Sequence, residues 1–171
     1  MEGTTVQDEI FDVVNERDEV IGQLARKEVH RQRLKHRAVH VLIFNSRGEI
    51  FLQKRSLKKD NHPGVWDSSA SGHLDTGEDY DSCALREVSE ELGVQLGCTP
   101  KRVLRVNACD ETGQEFVWVY RCQHEGPFRL HPEEIDTGGW FPPEQLNRWI
   151  DEAPREFAPA FLCIWRQLFP R

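Results

Sequence analysis

GHLDTGEDYDSCALREVSEELGV, residues 72–94, is the stretch whose reading decides the fold of this chain. Seven of its 23 residues are acidic. The segment 79–92 reads as a helix, and Gly93 is a natural stop just past it. At about 100° per residue, Glu87, Glu90 and Glu91 fall on one arc about 100° wide. Ala84, Leu85, Val88 and Leu92 form a second arc, about 110° round from the first. One face packs and the neighbouring face carries three carboxylates. Two like charges about 6 Å apart repel by roughly 3 kcal/mol at an effective dielectric near 20. A hard divalent cation offsets that cost, because it takes oxygen ligands and keeps waters for a substrate phosphate. The alternative is a solvated acidic face with Arg86 paired to Glu90.

The spacing tells against that alternative. Gly72 is followed after five residues by Glu78, then after seven by Arg86-Glu87-Val88, then by Glu90-Glu91 and Gly93-Val94. The pattern resembles the Nudix box, and every fixed position of the box is filled. The resemblance implies an α/β fold, an α/β/α sandwich with a mixed β-sheet and a loop–helix–loop metal site. It also implies cleavage of a phosphoanhydride bond in a nucleoside diphosphate derivative. By the same resemblance Glu87, Glu90 and Glu91 are the metal ligands and Glu78 assists the metal shell. Arg86 orients the glutamates, and Gly72 and Gly93 are backbone positions where a side chain would interfere. The cofactor that the resemblance implies is Mg²⁺, with Mn²⁺ as a substitute.

The rest of the chain bounds this reading. A length of 171 residues suits one domain over 1–171. Five scattered cysteines, none in C-x-x-C spacing, argue against a disulfide framework and a zinc site. No apolar run approaches the ~20 residues of a membrane span, and MEGTTVQDEIF has no apolar signal core. A soluble cytoplasmic protein is expected, a monomer or homodimer away from the membrane. A net charge of −7 makes long nucleic acid a poor partner. A small phosphorylated molecule, a nucleotide, is the expected partner, approaching through local basic patches at 30–37 and 54–59. From these Arg55, Lys54, Lys58 and Arg37 are the candidate phosphate clamps. Phe11, Trp66, Trp118 and Trp140 are candidates to line a base slot, with Trp118 taken as substrate-binding. Glu90, Glu115, Glu133 and Glu134 are candidate general bases, and Arg86, Glu90, Glu115 and Glu134 form the expected catalytic set.

In chain order, 9–14 and 20–24 read as a β-hairpin over 9–24, and 26–34 as a short basic helix. His40-Val41-Leu42-Ile43-Phe44 reads as a central strand, with 49–54 returning as its partner. The segment 66–70 reads as one strand feeding the box; 102–108 and 115–122 read as strands. Helices are expected at 144–150 and 157–169, the last with an apolar stripe that serves as core or dimer seam.

The flanks carry a second, looser resemblance to isopentenyl diphosphate isomerase, through FDVVNERDEVIG, HRQRLKHRAVHVLIFNSRGEIFLQKRS and PGVWDSSASGH. That enzyme moves a double bond and cleaves no phosphate. Its catalytic cysteine would fall at Ser71, and of its Glu-x-Glu pair only Glu115 is kept. Its metal histidines are matched by His36 and His73, while His30 is one residue out of spacing. A second metal site of His36, His73 and Glu115 is therefore a candidate, against a hydrogen-bonded structural pair. His30, His40, His62, His124 and His131 read as ordinary surface or loop residues. The lead reading is a hydrolase of nucleoside di- or triphosphates giving a monophosphate. The alternatives are the isomerase reaction, disfavoured by Ser71, and a non-catalytic nucleotide-binding protein.

Overall fold

The structure is a computed structural model and describes residues 8–170. The start of the acidic N-terminal segment, residues 1–7, lies outside them, as does residue 171. The elements in order are β1 (Ile10–Val14), β2 (Val20–Ala25), α1 (Arg26–Arg31), β3 (His36–Phe44), β4 (Ile50–Arg55), β5 (Trp66–Asp67) and β6 (Ala70–His73). There follow α2 (Tyr80–Leu92), β7 (Lys101–Val106), β8 (Glu115–Gln123), β9 (Ile135–Phe141), α3 (Pro143–Glu152), a 3₁₀ turn (Pro154–Glu156) and α4 (Pro159–Leu168).

β3 is the axis of the molecule. Its side chains alternate between two cores, as strand geometry requires. Ala38, Leu42 and Phe44 pack with α3 and α4, through Leu146, Ile150, Phe161, Ile164 and Trp165. Val39, Val41 and Ile43 pack against α2, through Cys83, Ala84, Val88 and Leu92. A mixed sheet with helices on both faces results, the α/β/α arrangement expected from the box. The C-terminal stripe goes into the core: Phe161, Ile164 and Trp165 are buried, with Leu162 and Leu168 partly so. On α2, Cys83 joins the packed face, whereas Leu85 is only half-buried.

Two strand expectations are corrected. β4 meets β3 only at Phe44 and Ile50. β3 instead pairs antiparallel with β6 and, along its whole length, parallel with β8. β4 turns away and pairs with β9 and β5, so the sheet is split beyond the hairpin turn. Because both faces are covered, Ile50, Phe51, Leu52 and Gln53 are all buried. The expected single strand 66–70 is likewise two strands, β5 on β4 and β6 on β3. The crossing falls at Ser68-Ser69, both fully buried. There the Ser69 hydroxyl donates to the Phe51 carbonyl at 2.5 Å and accepts from the Ile43 N–H at 2.8 Å. One side chain thus satisfies a backbone group on each side of the split.

The β1–β2 hairpin forms its own two-stranded sheet over a small core of Phe11, Val13 and Val29. Asp12 ties it to the box loop, accepting from Thr76 Oγ1 at 2.8 Å and the Gly77 N–H at 3.0 Å. α1 is shorter than expected because Arg33 takes a left-handed φ of 54°. Among the described residues, no helix is long and apolar enough to cross a membrane.

Candidate active site

α2 begins at an Asp79 cap, whose carboxylate accepts from the Ser82 N–H at 2.7 Å, and ends at Gly93 with φ 69°. A residue with a side chain would be strained at that φ. The helix lies across β6, and Gly72 is the point of contact. A Cβ at Gly72 would sit 2.1 Å from Cδ and Oε1 of Glu87. The missing side chain is what lets the Glu87 carboxylate reach the strand.

Arg86 organises the acids. Its Nε and Nη2 donate to the two carboxylate oxygens of Glu78 at 2.8 and 2.9 Å. Nη1 donates to Glu87 at 2.8 Å and to Glu90 at 3.2 Å, and Nη2 also donates to the His73 carbonyl at 3.0 Å. The pairing of Arg86 with Glu90 alone, considered from the sequence, is thus the smallest part of its role. Glu91 is pinned separately, accepting the Ser71 N–H at 2.7 Å and facing the Gln53 amide at 3.4 Å. Glu90 stays open, its side chain 56% exposed.

The electrostatics follow from this crowding. Burial, then the neighbouring Glu91 charge, pushes the Glu87 carboxyl above the ordinary range. Burial does the same to Glu91, against the pull of the Ser71 N–H and with the Glu134 charge adding to the rise. Glu78 goes the other way: despite partial burial, the Arg86 bonds hold it low. Two buried acids that resist ionisation, beside one held ionised, form a site that a divalent cation would relieve. Oxygen-only donors suit a hard ion.

A cavity of about 530 Å³ opens over these acids. Glu87, Glu90, Glu91, Arg55, Glu115 and Glu134 all line it. Three of the expected clamps do not. Arg37 is turned onto the hairpin, bonded to Asp18 at 2.6 Å and over the Tyr80 ring. Lys58 pairs with the exposed Glu133 at 3.0 Å, and Lys54 is not among the lining residues. Arg26, Arg33 and Lys59 take their places. Of the four expected clamps only Arg55 lines the cavity; Arg33 and Lys59 come from the same two patches and Arg26 from outside them, and strand alternation at Arg37 was the available signal. Lys59 pairs with Glu134, which it keeps ionised despite partial burial.

The aromatic candidates are corrected as well. Trp118 packs beside the α2 core with Arg102 over its ring at 4.7 Å. Trp66 stacks edge-on with Trp149, and Trp140 with Phe51. None of these lines the cavity. Phe11 is fully buried over His36 and His73.

Two histidines read as ordinary are not. His40 is buried on β3, with Nδ1 2.7 Å from Ser68 Oγ and 3.7 Å from Asp67. His30, half-buried on α1, lies with its ring 5.2 Å from those of both His36 and His73. The looser resemblance placed His30 one residue out of spacing with His36 and His73; the contact is made because α1 and β3 come together through the fold.

The NUDIX domain family model matches residues 34–161. An uncharacterized Nudix hydrolase of Yersinia pestis is 36% identical over 157 residues, 92% of this chain and 85% of its own length. The crystal structure of DR0079 from Deinococcus radiodurans superposes with a TM-score of 0.84 at 29% identity, over 94% of this chain and 99% of that one. The Nudix domain of Shewanella oneidensis NrtR, complexed with ADP ribose, shares the fold at a TM-score of 0.59 and 16% identity, over 85% and 97%. With the box complete, its acids gathered on one helix and the family model spanning most of the chain, this protein belongs to the Nudix hydrolases, enzymes that act on phosphorus-containing anhydrides.

Proposed function

We propose that this enzyme is a Mg²⁺-dependent pyrophosphatase of nucleoside di- or triphosphates, releasing a nucleoside monophosphate. The observation that carries the reading is the pair of buried carboxylates, Glu87 drawn against the bare backbone of Gly72 and Glu91 held by the Ser71 N–H. Glu87, Glu90 and Glu91 would hold the cation, with Glu78 acting through Arg86. When bound, the ion supplies charge neutralisation and a Lewis acid for phosphate oxygens; Mn²⁺ would substitute.

The remaining work falls to the chain itself. Phosphoryl transfer asks mostly for positioning and charge stabilisation. Arg86 fixes three box acids with one guanidinium. Arg55 and Lys59, with Arg26 and Arg33 at the rim, offer the cavity its positive charge against a net charge of −7. Arg55 is itself held by the Asn61 carbonyl at 2.8 Å. For proton removal from the attacking water we favour Glu134, an ionised acid on the cavity wall. Glu115 is engaged by His73 at 2.7 Å, and Glu133 lies with Lys58.

The isomerase alternative is weakened by Ser71. An unactivated hydroxyl is a poor proton donor to carbon. Incubation with a panel of nucleotides and with isopentenyl diphosphate, with and without Mg²⁺, tests the proposal. Phosphate or pyrophosphate release with a nucleoside monophosphate supports it. A shifted double bond without phosphate release replaces it, and neither product favours a binding protein.

A further inference from the structure

We propose that His30, His36, His73 and Glu115 form a second cation site, one that takes a first-row transition-metal dication and is separate from the acids of the box. The site is assembled by strand register. Glu115 on β8 is the parallel partner of His36 on β3, and His73 on β6 is the antiparallel partner of Ala38, two residues along the same face. α1 supplies His30 across the top. One ligand atom from each of the three imidazoles lies within 4.8 Å of those of the other two.

His36 carries the argument. It is 1% exposed, and its Nδ1 lies 2.8 Å from the Leu34 carbonyl. A carbonyl only accepts, so Nδ1 bears a proton and Nε2 is the ring atom left to serve as a ligand. That Nε2 is a buried side-chain atom without a hydrogen-bond partner among the described residues. It faces Glu115 Oε1 at 3.6 Å, too far for a hydrogen bond of its own. A cation between them answers both. An imidazole donating its other ring N–H to a backbone carbonyl is also the usual support of a metal-bound histidine. Glu115 Oε1 lies 2.7 Å from His73 Nε2 as well, so one carboxylate oxygen reaches two of the rings.

The donor set decides the ion. Three imidazoles and one carboxylate favour Zn²⁺ or Co²⁺ over Mg²⁺. The box is all oxygen and favours the reverse. Residues 72 and 73 connect the two: Gly72 faces Glu87, while the His73 carbonyl is held by Arg86.

The test uses the full chain, treated with chelator and titrated with Co²⁺. One equivalent should bind and give a visible d–d band that survives a large excess of Mg²⁺ and is displaced by Zn²⁺. The band should persist in the Glu87→Gln/Glu91→Gln double variant, which separates this site from the hydrolytic one. It should be lost in His36→Gln and in His30→Gln, with folding checked by circular dichroism. His30 is only half-buried on a short surface helix, so that variant should keep the fold. In the unaltered chain, Zn²⁺ should shift the imidazole NMR signals of these three histidines and leave those of His62 and His131 in place. No stoichiometric band in the unaltered chain, its retention in either histidine variant, or its loss in the box variant would overturn the proposal.

Discussion

The two faces of β6 present opposite chemistry one residue apart. On the Gly72 face, carboxylates are pressed together by a helix, and burial raises two of them above the ordinary range. On the His73 face, imidazoles gather around one carboxylate, and burial drives His30 and His73 down. Burial penalises charge in both places, but in acids it favours holding a proton and in imidazoles it favours releasing one. The lesson is that strand alternation lets four residues of chain border an oxygen-rich site and a nitrogen-rich site without mixing their donors. The two also differ in how they are held. The acids come from one helix and one arginine; the imidazoles come from three separate elements.

The comparison breaks most visibly at the acids. Glu91→Gln should cost about 10³-fold in kcat/KM for Mg²⁺-dependent phosphate release, the scale of removing one preorganised electrostatic contact. Co²⁺ binding to the same variant should be unchanged. Next, Gly72→Ala sharpens the role of the bare backbone. Its Cβ would meet the Glu87 carboxyl at 2.1 Å, so that group must swing aside. A displacement of this size should cost about 10²-fold in kcat, with a near-native melting temperature by calorimetry and an intact cobalt band. A third measurement probes the imidazole side through stability. Zn²⁺ at a hundredfold excess over its Kd should raise the unfolding free energy by about 2.7 kcal/mol in denaturant titrations, and this gain should vanish in His36→Gln. The smallest effect concerns the hairpin that covers the imidazoles. Asp12→Asn weakens the bonds from Thr76 and Gly77 and should cost about 1.5 kcal/mol. Those bonds hold the Asp12 carboxyl below its usual value against the opposing effect of burial. The stability they add is present above the unfolded-chain pKa and is lost as pH falls through the lowered folded value. A pH series of urea melts should show Asp12→Asn converging on the unaltered chain at the acid end.

Much of the acid face was legible in residues 72–94. Helix period, an Asp79 cap and a Gly93 stop act within a few residues of one another, so they can be read along the chain. The basic patches were legible only as patches. Which members face the cavity depends on the side of the strand they occupy, and Arg37 went to Asp18 while Arg55 stayed. The pairing of β3 with β4 misled for a similar reason. A short turn argues for a hairpin, but β6 and β8 satisfy the hydrogen bonds of β3 better over its length.

The sequence by itself determined the family, the mixed α/β architecture and the helix that carries Glu87, Glu90 and Glu91, because each rests on local spacing and capping. Only the tertiary structure decided that His30 belongs with His36 and His73, that Trp118 is packing and that Arg86 binds Glu78 before Glu90. Those outcomes turn on strand register and on elements far apart in the chain, where burial energy rather than sequence distance selects the neighbours.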